Sequence, residues 1–398
     1  MLPGVEATAR SRIVLGGASL SALLFLAHFF NDFFSGQLAA LLPTLQVRFG
    51  ASELTLALFV ATLSFSSSVL QPLFGAVADR LGRRLVAGVG VMTSSTILSL
   101  MAVVPSPALL VPLLLVGGLG SAAFHPAGTT LARQLAGGKG GLALGVFSAG
   151  GTTGMAFGPL VIGFFIMNGW LAFSPVLMLP GLVLGALILL LLPPQAPPAR
   201  AARGKLFDLE LFRGPVGRLC LAGVLRSISW IAVINGAPLW LVHSRGLSPS
   251  DPIIFWTITA FTVAGASGGI LAGLVENRLS RQTLVTLSML LATLPLAGLL
   301  LSAPGAPWYY VAVMLSGVLV NGGLPIMVLA AQDAAPQAVA TASGMMMGLT
   351  WGTAGVLYLG VGALQGAIGM DAAMWLSLLP LIPGALIARG VLIGLGQR

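Results

Sequence analysis

From residue 18 almost to the C-terminus, this chain is one apolar run after another, each about 20 residues long, the length of helix that crosses a bilayer. A bilayer then dictates the rest. It offers no water to peptide groups, so each span pairs its own N–H and C=O groups within a helix. Divided at glycine, proline and clusters of charge, the sequence gives about twelve such runs. The first six are residues 18–44, 54–77, 84–104, 108–132, 141–167 and 171–192. The other six are 217–243, 252–275, 283–302, 308–331, 341–366 and 373–395. The expected fold is an all-α membrane protein of twelve transmembrane helices. Composition agrees: 57% of the 398 residues are hydrophobic and 7% are charged, against roughly 25% charged in a soluble domain. The 53 glycines and 25 prolines fit closely packed, kinked membrane helices.

The basic residues test the count. With the N-terminus inside, Arg10, Arg12, Arg80, Arg83, Arg84, Arg133, Lys139, Arg200, Arg203, Lys205, Arg213, Arg218, Arg278, Arg281, Arg389 and Arg398 all fall on the inner side, sixteen of the 19. Arg48 and Arg245 fall outside, and Arg226 falls within a span. Such a bias is what topology demands, and a wrong helix count would scatter it. The same short clusters exclude a nucleic-acid surface, despite a net charge of +9. The N-terminal segment is expected to be retained, with both termini cytoplasmic and the chain multi-pass.

The segment "PPQAPPARAARGKLFDLELFRGP" (193–215) is Pro-rich, then basic. It predicts a cytoplasmic linker, 194–215, between an N-terminal half, 1–193, and a C-terminal half, 216–398. The halves match each other. "GAVADRLGRR" (75–84) aligns with "GLVENRLSRQ" (273–282) at an offset of 198. At an offset of 199, "HPAGTTLA" (125–132) meets "LPIMVLAA" (324–331), and Gly145 and Gly163 meet Gly344 and Gly362. Two pseudo-symmetric six-helix bundles follow, the build of many secondary carriers, with a midplane site between the repeats.

These stretches also carry a resemblance. "GAVADRLGRR" resembles the loop signature of the major facilitator superfamily, and "GMAFGPLVIG" (154–163) resembles its antiporter motif, with one extra residue after the proline. "LAHFFNDFFSGQLAALLPTLQVRFG" (26–50) and "GLGSAAFHPAGTTLARQLAGGKGGLALGVFSAGG" (118–151) look like the fosmidomycin-resistance branch, with a fainter echo at "AAQDAAPQ" (330–337). Departures are Ala127 where relatives carry an acid, Leu114 near a usual basic position, and Asn277 in the second loop copy. The resemblance implies a proton-coupled carrier of a bacterial inner membrane, not an enzyme, exporting a small organic compound or drug by alternating access as a monomer. The open alternative is a proton symporter or uniporter importing an organic anion or nutrient.

The residues themselves suggest roles. His28 and Asp32 are four apart and share one helix face, in "FLAHFFNDFFSG". An ionised side chain at mid-span faces a water-filled cavity or a partner. Asp32 is the one carboxylate placed well inside a span, so it is the expected proton carrier, with His28 and His125 beside it. The alternative is a fixed ion pair, or a hydrogen bond to Asn31. Arg226 falls opposite position 28 at the 198 offset and is expected to face the same cavity, with Trp230 one turn on, Asn31, and Asn321 in the tenth span. Equally, Arg226 merely neutralises Asp32. His125-Pro126 breaks a helical turn, so His125 either exchanges protons or only bonds freed backbone.

Gly75, Asp79, Arg80, Gly82, Arg83 and Arg84 read as a conformational latch at the membrane edge, or as a plain topology signal. Gly154, Gly158, Pro159 and Gly163 read as a seal between the halves, or as close helix packing. No cofactor or metal is expected. Cys220 is the single cysteine, the three histidines are scattered in sequence, and no HExxH helix occurs.

Overall fold

The computed structural model describes residues 17–134, 140–193, 209–276 and 278–396. The expectations for Arg10, Arg12, Lys139, Arg200, Arg203, Lys205, Arg398 and Asn277 lie outside the described residues, as does most of the linker. All regular structure among the described residues is helical. Ten helices are long and apolar enough to span. They are Ala18–Phe49 (first span), Pro107–Gln134 (fourth), Ala143–Met167 (fifth) and Leu171–Leu191 (sixth). The others are Pro215–His243 (seventh), Pro252–Val275 (eighth), Arg281–Leu301 (ninth), Pro307–Ala334 (tenth), Thr341–Ile368 (eleventh) and Met370–Gly394 (twelfth). The second span is a pair, Glu53–Val69 and Gln71–Leu81, bent by 41°. Arg83–Leu98 is the third. The fold is therefore the expected twelve-helix membrane bundle.

Local sequence sets the ends. Pro107, Pro215, Pro252 and Pro307 each open a helix, where the missing N–H has no intrahelical partner to lose. Ser52, Asp251 and Ser280 cap the second, eighth and ninth spans by accepting from Thr55, Ile253 and Thr283 N–H. Gly82, at φ +95°, turns the chain between the second and third spans, a conformation that favours glycine. The third helix stops at Leu98, short of the expected 104. Turns carry the chain on, and the Arg48 guanidinium takes the Ala102 and Val104 carbonyls, the latter at 2.6 Å. Three π-helical segments, Phe65–Val69, Ala232–Gly236 and Met345–Leu349, interrupt the second, seventh and eleventh spans.

The two sets of six helices meet along one side of the membrane. For brevity, the basic face is the one bearing Arg80, Arg83, Arg84, Arg278 and Arg281, and the far face is its opposite. On the far side the eleventh span lies on the second, where a Cβ at Gly362 would fall on Ala57 and 3.0 Å from the Glu53 carbonyl oxygen. The eighth span lies on the fifth: Thr259 donates to the Ala156 carbonyl at 2.8 Å, and Gly163 faces the Phe255 ring. The contact continues to mid-membrane, where Gly352 meets Val69 and Gly348 lies by Ser68 and Gln71. Toward the basic face, Gln71–Leu81 packs on the third and fourth spans of its own half. Gly145, Gly273 and Gly344 there have nothing within 4 Å of a Cβ position. Among the described residues, the molecule stands closed on the far face and open toward the basic one.

Candidate functional site

The first span delivers His28, Asn31 and Asp32 within just over one turn. The fourth delivers Ser121 and His125, also one turn apart, and the fifth passes behind them at Phe147 and Gly151. The first and fifth spans approach closely because glycine recurs every fourth residue. Cβ atoms at Gly150, Gly154 and Gly158 would run into the backbone of Phe25, Phe29 and Phe33, one turn apart on the first span. Gly151 sits on the neighbouring face. A Cβ there would lie 2.6 Å from Asp32 Oδ2 and would also strike His28 Nε2, so its bare face makes the space for the polar group.

Asp32 is the centre of that group. His28 Nε2 lies 3.1 Å from Oδ2, and His125 Nε2 lies 3.1 Å from Oδ1. The Asn31 amide donates to Oδ1 and to Ser121 Oγ, each at 2.9 Å, tying the two helices together. Each imidazole is held from behind. His28 Nδ1 is 2.7 Å from the Phe147 carbonyl and its ring stacks on Phe147 at 4.1 Å. His125 Nδ1 is 2.9 Å from the Ser121 carbonyl. A carbonyl only accepts, so both Nδ1 atoms carry hydrogen and both Nε2 atoms turn to the carboxylate. His28 is 9% exposed, Asp32 14% and His125 21%. The group is enclosed yet reached by solvent.

Two sequence expectations change here. Histidines scattered in sequence are not scattered in space: His28, Asp32 and His125 place donor atoms within 4.8 Å of one another. Only His243 stands apart, its Nδ1 on the Leu239 carbonyl. The reading of Arg226 as the neutraliser of Asp32 also fails, because the carboxylate is already held between two imidazoles. Arg226 is fully buried in the other half. It donates to Asn321 Oδ1 at 2.8 Å, to Ser227 Oγ at 2.9 Å and to the Val320 carbonyl at 3.4 Å. Its Nε has no partner, and no ion pair among the described residues includes it. The Trp351 ring lies 5.5 Å from the guanidinium carbon and the Trp230 ring 6.0 Å. Trp230 is itself buried against Phe261, which leaves half-buried Trp351 as the more accessible ring.

The Major Facilitator Superfamily model matches residues 24–359. The chain belongs to that superfamily. It is a transporter and not an enzyme. Over 367 residues it is 26% identical to "Uncharacterized MFS-type transporter YfnC" of Bacillus subtilis, covering 88% of each chain. Over 354 residues it is 27% identical to "Fosmidomycin resistance protein" of Escherichia coli, covering 86% of this chain and 84% of that one. Its fold is similar to that of the nucleoside transporter NupG, with a TM-score of 0.79 at 14% identity, covering 94% of this chain and 99% of that one. A bacterial homologue of the human lysosomal transporter Spinster, inward-facing and unoccupied, gives 0.73 at 16% identity, covering 96% and 98%.

In this superfamily member the loop after the second span sits apart from the other half. Asp79 pairs with Arg83 at 2.9 Å across the Gly82 turn, and Asp79 is half exposed. Arg84 donates to the Leu192 carbonyl at 2.9 Å, capping the sixth span. Arg80 is exposed, and a Cβ at Gly75 would lie 3.6 Å from Pro126 Cβ. In the second copy, Arg281 holds Glu276 at 2.6 Å and Asp333 at 2.7 Å. The stretch likened to an antiporter motif divides by face. Gly154 and Gly158 pack on the first span within the half, Pro159 lies 3.1 Å from a Cβ position at Gly36, and Gly163 alone faces the other half. Sequence reasoning missed Ser121, Phe147, Gly151 and Trp351. The four-residue spacing of Gly150, Gly154 and Gly158 was the available signal for the fifth span's approach to His28.

Proposed function

We propose that this carrier exports a small organic compound in exchange for protons, by alternating access across a bacterial inner membrane, as a monomer with both termini in the cytoplasm. The observation that carries the reading is the Asp32 group. A carboxylate and two imidazoles sit at mid-span, partly exposed, in a molecule open toward its basic face. Imidazole and carboxylate side chains can exchange protons, and intramembrane ionisable residues mark proton and substrate routes. The relative named for fosmidomycin resistance supports a drug as substrate. Closure on the basic face would bring the Asp79–Arg83 loop toward the other half as a latch.

A second reading, proton-linked uptake of an organic anion, has one observation in its favour. Arg226 is a buried cation with no carboxylate among its hydrogen-bond partners, and an anionic ligand would supply one. Expression in an efflux-deficient host, challenged with a toxin panel that includes fosmidomycin, separates the two. Export predicts raised resistance that is abolished by Asp32→Asn. Unchanged or lowered resistance across the panel, with proton-driven uptake into cells, would replace export by import.

A further inference from the structure

Resting on the proton-coupled reading above, we infer that the site carries two protons, one on each imidazole Nε2, and that Asp32 stays ionised as their shared counter-charge. The sequence alone makes Asp32 the group that gains and loses the proton. The geometry points elsewhere. Both Nδ1 atoms are committed as donors, to the Phe147 and Ser121 carbonyls. Each Nε2 of a neutral ring therefore presents a lone pair to a carboxylate oxygen 3.1 Å away. A lone pair against a carboxylate at that distance is repulsive, and burial deepens the cost. A proton on Nε2 turns each contact into a charge-assisted hydrogen bond.

The two contacts use different oxygens, since His28 meets Oδ2 and His125 meets Oδ1, and the ring centres lie 5.0 Å apart, so the two protons are coupled through mutual repulsion and a shared counter-charge. There are thus two proton positions and not one shared position. A single proton on the carboxylate would satisfy at most one Nε2 and leave the other lone pair facing an oxygen, while Oδ1 also accepts from Asn31. The groups facing the site are accounted for by element. The first span gives His28, Asn31 and Asp32, the fourth gives Ser121 and His125, and the fifth gives the Phe147 carbonyl and Gly151. The ion pairs of Asp32 among the described residues are with the two histidines. The site then alternates between a net charge of −1 when empty and +1 when loaded, and passes through neutrality with one proton. A metal ion would instead draw both Nε2 atoms and one oxygen to a single centre.

The test uses the whole purified protein and needs no substrate. Histidine is labelled with nitrogen-15 and aspartate with carboxyl carbon-13. There are three histidines, so His28→Gln and His125→Gln assign the signals. Across a pH titration, both His28 and His125 should gain a proton at Nε2, while the Asp32 carboxyl signal stays that of an ionised group. In a difference titration, wild type should take up two more protons than the double His→Gln variant, and each single variant one more. A protonated Asp32 carboxyl in unvaried protein, or a difference of one proton, overturns the inference. So does a proton count that changes when a chelator is added, which would make the site a metal centre. Proton-driven flux into vesicles is measured separately. Its absence with two titrating histidines refutes the coupling and leaves the two-proton site standing.

Discussion

Four glycines, matched in pairs by the internal repeat, divide by face. Gly163 and Gly362 on the far side are in contact with the opposite half, while Gly145 and Gly344 toward the basic side have nothing within 4 Å of a Cβ position. If the halves rock, the second pair is covered when the basic face closes and the first is freed. Alanine at Gly163 would place a Cβ 2.5 Å from Phe255 Cγ, and alanine at Gly362 would place one 3.0 Å from the Glu53 carbonyl oxygen. Overpacking of this kind costs about 1–3 kcal/mol. Charged against one of two states, that moves their ratio by about 5–150-fold. Gly163→Ala and Gly362→Ala therefore shift the carrier toward the basic-closed state. Gly145→Ala and Gly344→Ala cost nothing in the present state and hold the carrier there. Leu81 and Leu279, exposed at matched positions of the two halves, take spin labels as cysteines in a Cys220→Ser background. Their separation by electron double resonance should shorten for the first pair of variants. It should stay long for the second pair under conditions that shorten it in wild type. Shifts in one common direction for all four glycines would refute the reasoning, because packing damage has no face.

Other expectations follow from the same contacts. Gly151→Ala, which pushes a methyl group onto Asp32 Oδ2 and His28 Nε2, should lower flux at least tenfold, roughly the effect of 1.4 kcal/mol, while expression and thermal stability fall little; normal flux would show that the group tolerates displacement. Arg226→Met should leave the melting temperature unchanged or raised, since a buried charge without an ionic partner stabilises poorly, yet weaken any anionic ligand; a marked fall in melting temperature would make Arg226 structural. Asp79→Asn should slow turnover with substrate affinity kept, and the reverse pattern would remove the latch. Arg48→Gln and Arg245→Gln should each lower stability by about 1 kcal/mol through lost helix-end hydrogen bonds, read by thermal unfolding in detergent.

Topology was legible because membranes leave few choices. Apolar length counted the spans, and arginine placement fixed which ends share a face. The i, i+4 pair His28 and Asp32 was legible for the same reason, since one helix face needs no tertiary knowledge. What the sequence hid lies between helices. The meeting of His125 with Asp32 depends on how the fourth span is rotated against the first. That rotation is set by contacts such as Gly150 against Phe25 and Asn31 on Ser121. Pseudo-symmetry predicts where Arg226 sits along its span, but not which neighbour its side chain reaches. Asn321, one span away in the same half, won over Asp32 across the cavity.

The repeat did hold information in the residues that broke a rule. Arg48 and Arg245 were the two exceptions to the charge bias, and they stand at matched ends of the first and seventh spans. Arg48 holds the Ala102 and Val104 carbonyls in the turns that follow the third span, with its guanidinium 4.6 Å from the Phe49 ring centre. Arg245 caps the ninth through Leu300, and lies 4.7 Å from the Trp240 ring centre. Trp240 in turn donates to Asp371 at 2.7 Å. A helix end exposes carbonyls that carry partial negative charge, and near an interface a guanidinium can meet them without leaving water. The far-side arginines are thus explained by what they hold, one clamp in each half. Topology bias is a statement about free charge, and these two charges are spoken for.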